Sequence, residues 1–311
     1  MLKTSMRFAW RSLNHLTRVV LGCLAFALAV IVIVMLSLRY WVLPNIERYH
    51  DSITAAVSQA VGQPVQIGKI VADWDGLRPK LAFQDLRILD PQDKAADALV
   101  LKEVKGSLAW TTLLIGRPSF YRLELDQPDL LIWRGADGAM HIAGIEKTQS
   151  GAGGGNAADW LLEQSNIEVR DARITWADEL RGAPALVLQR LNLRIHNFGH
   201  HHQFAVTVEP PPELSAKLDL RGDFHGASFD DLSGWRGKLY AHTDYIDAAA
   251  WQSWLPLPEG ARGRGALRGW LDVMGGKPEQ ATIDLALTGV QAKLGSDLLP
   301  LDLRALHGRA S

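Results

Sequence analysis

The segment SNIEVRDARITW, residues 165–176, carries apolar side chains at alternating positions, first at Ile167 and Val169 and again at Ile174 and Trp176. A period of two residues is typical of a β-strand that buries one face and exposes the other. The segment therefore predicts a strand of a sheet with one apolar face.

Other segments repeat this period on both sides of it. They are PVQIGKIVADW (64–74), ALVLQRLNLRI (185–195), QFAVTV (203–208), ELSAKLDL (213–220), ATIDLAL (281–287) and LPLDLRAL (299–306). Turn-forming pieces such as RGDFHG (221–226) and VMGGKP (273–278) separate some of them, which indicates antiparallel hairpins and meanders. We predict a mostly β fold that is built as an antiparallel meander.

Eight alternating apolar residues are the candidates for forming an apolar face of this sheet. They are Ile167, Val169, Leu186, Leu188, Leu218, Leu220, Leu285 and Leu287. The alternation places the members of each neighbouring pair on a common face. It leaves open whether that face lines a closed core or an open trough.

The most apolar part of the chain is TRVVLGCLAFALAVIVIVMLSLRYWVLP, residues 17–44, which has no charged residue between Arg18 and Arg39. About 20 helical residues span about 30 Å, the thickness of a bilayer's hydrocarbon core, and exceed the apolar region of a secretory signal. A cleaved signal peptide and a buried core helix are the alternatives. We predict a transmembrane anchor at residues 19–42, after a basic cytoplasmic segment at residues 1–18.

The charges that flank the anchor predict its orientation. Four basic residues precede it, namely Lys3, Arg7, Arg11 and Arg18, and no acidic residue occurs before Glu47. Because positive flanks stay in the cytoplasm, the amino terminus should be cytoplasmic and the bulk of the chain exported. We therefore expect a single-pass membrane protein.

A second helix is predicted directly after the anchor, at residues 45–62. Its apolar residues recur at steps of three and four, with Asn45 as an N-cap and Gly62 as a C-cap signal. Two arrangements remain open for this amphipathic helix. It either packs on the edge of the following domain or plugs the open end of a β structure.

A glycine-rich stretch, QSGAGGGNAA at residues 149–158, interrupts the alternation. Such composition is typical of a flexible linker, and no Lys-Ser or Lys-Thr follows it as a phosphate-binding loop requires. We predict a first β unit at residues 63–147, a linker at 148–159 and a second β unit at 160–311.

The histidine-rich piece HNFGHHHQF, residues 196–204, is the strongest hint of a metal site. Its glycine and flanking strands indicate a hairpin turn, where a spacing of four does not bring two imidazoles together, and no acidic residue is near in sequence. We interpret the histidines as a solvated, inert turn.

Other chemical signals are weak. GRGALRG (263–269) is one residue too long for a dinucleotide fingerprint and is interpreted as a turn followed by a strand, and the carboxylates Asp171, Asp178 and Glu179 lie singly at turns. The single cysteine, Cys23, lies in the anchor, and a net charge of −1 offers no footprint for nucleic acid. We expect no enzyme activity, no catalytic or metal-binding residues and no cofactor.

Several of these elements together resemble a known family. They are the G-x-P-V-x-I element at Gly62–Ile67, Trp74, FQDLRILD at 83–90, and PDLLIWR at 128–134 ahead of the Asp137–Gly138 turn. The chain is similar along its whole length to the amino-terminal region of YhdP-type members of the AsmA-like family, which also includes TamB.

The resemblance implies a protein that is anchored in the inner (cytoplasmic) membrane, with the bulk of the chain periplasmic. It also implies that the meander forms an elongated, twisted β-groove with an apolar interior, which moves phospholipids toward the outer membrane. The eight alternating residues named above are the candidates for lining this groove against lipid. The implied partners are phospholipid acyl chains, the inner membrane and other envelope proteins, and no nucleic acid. The chain is much shorter than such proteins, so we expect a fragment, a truncated product or a short member. The alternative function is an assembly or tethering factor for outer-membrane proteins.

Overall fold

The computed structural model describes residues 2–61, 63–89, 97–110, 112, 119–138, 140–142, 157–228, 231–258, 260–293 and 301–310. The chain divides into two compact units, Met1–Tyr49 and His50–Ser311. The described part of the first unit is helical, and all described strands belong to the second.

The first unit contains helix α1 (Leu2–Ser37), a π-helical turn (Leu38–Val42) and a 3-10 segment (Leu43–Tyr49). In the described part of the chain, one helical run is long and apolar enough to cross a membrane. It is Thr17–Gln59, which begins within α1 and includes the π-helical turn and the 3-10 segment. Its most apolar window is not buried by the rest of the protein. The prediction of an apolar helix with the length of a membrane span is confirmed.

The α-helix predicted at residues 45–62 begins later in the structure, at His50. Asn45 has a non-helical backbone, and its side-chain Nδ2 donates to the carbonyl of Trp41 at 2.7 Å. The 3-10 segment Leu43–Tyr49 is therefore kinked at Asn45. The amphipathic helix α2 spans His50–Val61.

Helix α2 lies against the outer edge of the first strand, β1 (Val65–Asp75). The backbone N–H of Val65 donates to Ser58 Oγ at 3.0 Å, and His50 Nε2 donates to the carbonyl of Ile67 at 2.9 Å. Edge strands are commonly protected in this way from pairing with other chains. These contacts favour the edge-packing arrangement for the helix.

The described strands form one sheet. A short helix, α3 (Ala157–Glu163), precedes the seventh strand in the chain. The remaining strands are β2 (Arg78–Leu89), β3 (Asp97–Leu108), β4 (Phe120–Asp126), β5 (Asp129–Arg134), β6 (Met140–Ile142), β7 (Asn166–Asp178), β8 (Ala183–Phe198), β9 (His201–Glu209), β10 (Leu218–His225), β11 (Arg236–Asp247), β12 (Arg262–Met274), β13 (Lys277–Ala292) and β14 (Leu301–Ala310). Residues 221–225 of the predicted turn RGDFHG lie inside β10 instead, because pairing with β9 and β11 holds them extended.

The strand order is β1-β2-β3-β4-β7-β8-β9-β10-β11-β12-β13-β14, with β5 beside β7 and β6 beside β5. In the described chain β1 and β14 stand at opposite ends of this order, so the sheet is open. Neighbours are antiparallel except that β7 runs parallel to both β4 and β5. The predicted fold class, mostly β and mostly antiparallel after an apolar helix, is confirmed.

Strands on both sides of the predicted linker belong to this one sheet. Residues 143–156, which include most of the predicted linker 148–159, lie outside the described residues, and α3 begins at Ala157. β7 joins the two predicted β units because it pairs with β4 and β5. The division into units at residues 63–147 and 160–311 stays a prediction.

Among the described residues, four other than glycine adopt left-handed backbone conformations with φ near 50°. Asp85, Asp171 and Arg190 lie within strands, and Gln127 lies between β4 and β5. Each marks a change in the alternation. In β2 the buried residues are Leu81 and Phe83 before Asp85, and Leu86 and Ile88 after it. A residue of this kind shifts the phase by one position, so apolar residues on both sides of it stay on the same face.

Candidate functional site

The strand register places the predicted apolar residues on one face of the sheet. Val169 lies directly opposite Leu193 of β8. Leu193 in turn lies opposite Val206 of β9, which lies opposite Leu220 of β10. Directly opposed residues project from the same face. The row continues through Ala241, Gly269 and Ile283 to Ala310.

The other candidates join the same face. Ile167 lies opposite Ile195, Leu218 opposite Val208, Leu285 opposite Leu267 and Leu287 opposite Gly265. Leu186 and Leu188 lie opposite Trp176 and Ile174, and the shifts in register at Asp171 and Arg190 keep these pairs on that face. We call this surface the apolar face. It runs without interruption from β7 to β14.

Part of the apolar face is covered by other residues of the chain. Leu186 is only 6% exposed and forms a buried cluster with Leu214 and Trp251, against which Leu188 also packs. Trp251 Nε1 donates to the carbonyl of Leu214 at 3.1 Å. Leu186 and Leu188 therefore belong to a local core, although their sequence pattern equals that of the other candidates.

The connection between β11 and β12 supplies this cover. Trp254 Nε1 donates to the carbonyl of Pro184 in β8 at 2.9 Å, and its ring meets Trp251 edge to face at 6.1 Å. The sequence suggested a short helix that presents both tryptophans, and a 3-10 turn at Ala250–Ser253 does so. Its packing partners, about 65 residues away in sequence, follow only from the tertiary fold.

The face is most open between β10 and β14. Leu218, Leu220, Leu285 and Leu287 are half-buried there, and Ile283 is 37% exposed. Ile167 and Val169 are buried, nearer the other end of the sheet. The eight candidates thus share a face but differ in exposure. Their contact with lipid stays a prediction.

Sequence reasoning did not name Leu239, Leu267 and Leu271 of the open part as candidates, nor Phe204 of the adjacent strand β9. Phe204 lies across Gly222 of the neighbouring strand, and a Cβ at Gly222 would overlap the Phe204 ring. The ring also stacks on Phe224 with centroids 6.0 Å apart. Glycine here therefore lets an aromatic ring lie flat on the sheet. The alternation in segments 237–243 and 266–273 could have revealed the leucines.

The opposite face is polar and carries ion pairs between neighbouring strands. Glu168 pairs with Arg170 at 2.8 Å and with Arg194 of β8 at 3.2 Å. The hydrogen bond from Arg170, followed by the charges of both arginines, holds the pKa of Glu168 below its usual range, against the effect of burial. Lys105 similarly contacts Glu103 and Asp126, and these bonds raise its pKa. The sheet thus separates one apolar face from one charged face.

The prediction of a wholly solvated histidine turn is wrong for His202. His200 is exposed, but His202 is 6% exposed, and its ring stacks on Trp235 with centroids 5.5 Å apart. Its Nδ1 contacts Asn197 Oδ1 at 2.8 Å, and its Nε2 contacts the carbonyl of Gly226 at 3.1 Å. Burial lowers the pKa of His202 because it disfavours the imidazolium. β9 continues the alternation into the turn, which points this histidine inward.

Two other interpretations of local motifs also change. GRGALRG lies within β12, where Gly263 and Gly265 have φ of 153° and 155°, and a Cβ at Gly265 would overlap the carbonyl of Ala286. Asp178 is buried at the end of β7 and pairs with Arg134 of β5, so it is no isolated turn carboxylate. Both motifs therefore serve sheet packing.

The comparison with protein families agrees with this architecture. The sequence model described as YhdP protein matches residues 3–311. The chain belongs to the YhdP family. No curated protein and no solved structure matches it. Membership of the YhdP family confirms the resemblance seen in the sequence and suggests a function related to lipid transport in the cell envelope.

Proposed function

We propose that this member of the YhdP family holds phospholipid acyl chains on its apolar face and acts in phospholipid transport between the inner and outer membranes. Outer-membrane lipid homeostasis would depend on that transport. The observation that carries the proposal is the uninterrupted apolar face, half-exposed at Leu218, Leu220, Leu285 and Leu287.

The energetics of apolar burial support this assignment. An acyl chain that leaves water for an apolar surface gains about 0.8 kcal/mol for each buried methylene. A surface of several half-exposed leucines and isoleucines over neighbouring strands offers such burial without any chemical step. The charged opposite face would keep the sheet soluble in the aqueous compartment. We propose a non-catalytic carrier.

The proposed location is the inner membrane, with residues 19–42 as the anchor and the sheet in the periplasm. The basic residues ahead of the span support this orientation. A reporter active only in the periplasm should function when fused after residue 62, and the protein should stay in the membrane fraction. Absence of reporter activity in this fusion, or release of a shortened soluble form, would contradict the proposed topology.

Photo-crosslinking in living cells tests lipid binding. A crosslinking residue at Val206 or Leu285 on the apolar face should capture phospholipid. The neighbouring positions Ala205 and Ala286 lie on the polar face and serve as matched controls that should capture little. Equal capture at inward and outward positions would exclude the proposal, because a lipid carrier must distinguish its two faces.

A second function, assembly or tethering of outer-membrane proteins, rests on the last strand of the sheet. Among the described strands β14 pairs with β13 alone, and a free edge can add a strand from another polypeptide. A crosslinker at Arg304 of β14 tests this possibility. Capture of outer-membrane proteins there, with no lipid at Leu285, would favour assembly over transport.

A further inference from the structure

Pairing of β9 with β10 brings together three side chains that can bind a metal ion. His201 lies directly opposite His225, and Asp223 follows two positions away on the same polar face. Their ligand atoms all lie within 4.8 Å of one another. No other such group of three occurs among the residues that the structure describes. The sequence suggested no nearby carboxylate because Asp223 lies 22 residues from His201.

The three side chains already contact one another. His201 Nε2 lies 2.7 Å from Asp223 Oδ1, and the two imidazole rings stack with centroids 4.3 Å apart. Gln203 Nε2 donates to the other carboxylate oxygen, Asp223 Oδ2, at 2.7 Å. That bond orients the carboxylate, as outer hydrogen bonds commonly do for metal ligands.

We propose that His201, Asp223 and His225 bind a divalent transition-metal ion of the zinc class. Imidazole and carboxylate are ligands that Zn²⁺ accepts at about 2.0–2.2 Å, and three protein ligands with a water molecule complete a tetrahedral site. The stacked rings must tilt so that their nitrogen lone pairs converge. His201 and His225 are not buried, which leaves room for that movement.

Such an ion would cross-link β9 and β10 on the charged face, away from the apolar face. The inference is therefore independent of lipid binding. Lys238 lies opposite Asp223 on β11, but its Nζ is 3.2 Å from Asp272, so that carboxylate partly balances its charge. Arg236 lies opposite His225. Its positive charge would repel the metal ion and so lower the affinity of the site for Zn²⁺.

Calorimetric titration of the full chain in detergent with ZnCl₂ tests the site, after removal of any affinity tag and treatment with EDTA. The wild-type protein should bind one Zn²⁺, and His225→Asn should weaken binding by at least about tenfold. His242→Asn is the matched control. His242 also lies near a carboxylate, 3.4 Å from Asp244, but does not belong to a group of three ligands. This variant should bind as the wild type does.

A second readout follows from linkage. Zn²⁺ should raise the thermal unfolding temperature of the wild type and of His242→Asn, but not that of His225→Asn or His201→Gln. Two results would overturn the proposal: absence of Zn²⁺ binding to the wild type, or equal binding in His225→Asn and His242→Asn. If His225→Asn does not fold, His201→Gln decides by the same titration.

Discussion

Gln127 and Asp171 face each other across the parallel strands, both with φ of 51°, and Gln127 Nε2 donates to Asp171 Oδ2 at 3.0 Å. Gln127 separates β4 from β5, and Asp171 interrupts β7 at the same level. The backbone N–H of Asp171 also donates to Asn192 Oδ1 at 3.2 Å, beside the left-handed Arg190 of β8. Aligned interruptions in adjacent strands keep apolar side chains on one face.

Replacement of Asp171 by valine should therefore destabilise the sheet. A β-branched residue at φ near 50° is strained, and the Gln127 contact is lost, so we expect a cost of about 1–3 kcal/mol. Urea unfolding of the full chain in detergent, followed by tryptophan fluorescence, measures it. Asp171→Asn tolerates the left-handed conformation and serves as the control. Equal stability of the two variants would show that the backbone conformation carries no strain.

Replacement of His202 should differ from replacement of His200. His202→Ala removes two buried hydrogen-bond contacts and the ring stacked on Trp235, so a loss of about 1–3 kcal/mol is expected. His200→Ala changes an exposed side chain and should stay within about 0.5 kcal/mol. Thermal unfolding in EDTA measures both. A neutral His202→Ala would mean that the turn is solvated after all.

Substitution of one leucine by aspartate should affect stability differently in the covered part and in the open part of the apolar face. Leu186→Asp places a carboxylate in the cluster with Trp251 and should cost more than about 3 kcal/mol. Leu285→Asp changes a half-exposed position, so the protein should fold, at a cost of about 1 kcal/mol, but lose bound lipid. Unfolding curves and lipid extraction from the purified variants provide the two measurements. If both variants folded and both retained lipid, the division of the apolar face into a covered part and an open part would be contradicted.

The free energy of unfolding should depend on pH because of the Asp178 carboxylate. The hydrogen bond from Arg134 lowers the pKa of Asp178 in the folded protein, despite the opposing effect of burial. The ionised Asp178 carboxylate therefore stabilises the fold in full at a pH above its pKa in the unfolded chain, about 3.9. This stabilisation is lost as the pH falls through the lower pKa that Asp178 has in the folded protein. Asp178→Asn should destabilise the protein at pH 7, and the difference from wild type should shrink in acid.

An exposed ion pair provides the control for this pH experiment. Asp284 contacts Arg309 at 2.6 Å, and the hydrogen bond from Arg309 lowers the pKa of Asp284, but the Arg309 side chain is 65% exposed and that of Asp284 is 31% exposed. Asp284→Asn should change the free energy of unfolding little, as is usual for surface pairs. A constant difference between Asp178→Asn and wild type from pH 7 to pH 3 would show that the Asp178 charge does not stabilise the fold.

The amino-acid sequence by itself determined the features that depend on near neighbours. The uncharged run before Arg39 specifies a helix of membrane-spanning length, and alternation in segments such as 165–176 specifies strands with one apolar face. Membership of the YhdP family was visible in the same local motifs. These properties follow from side-chain period and hydropathy over a few residues, so no partner strand is needed to recognise them.

Only the tertiary structure decided which distant residues meet. Leu186 and Leu285 have the same alternating pattern, yet Trp251 covers the first and leaves the second half-exposed. His201 gains Asp223 as a neighbour only when β9 pairs with β10. The physical reason is that strand pairing and packing act between residues far apart in sequence, whereas the local period records only which face a side chain takes.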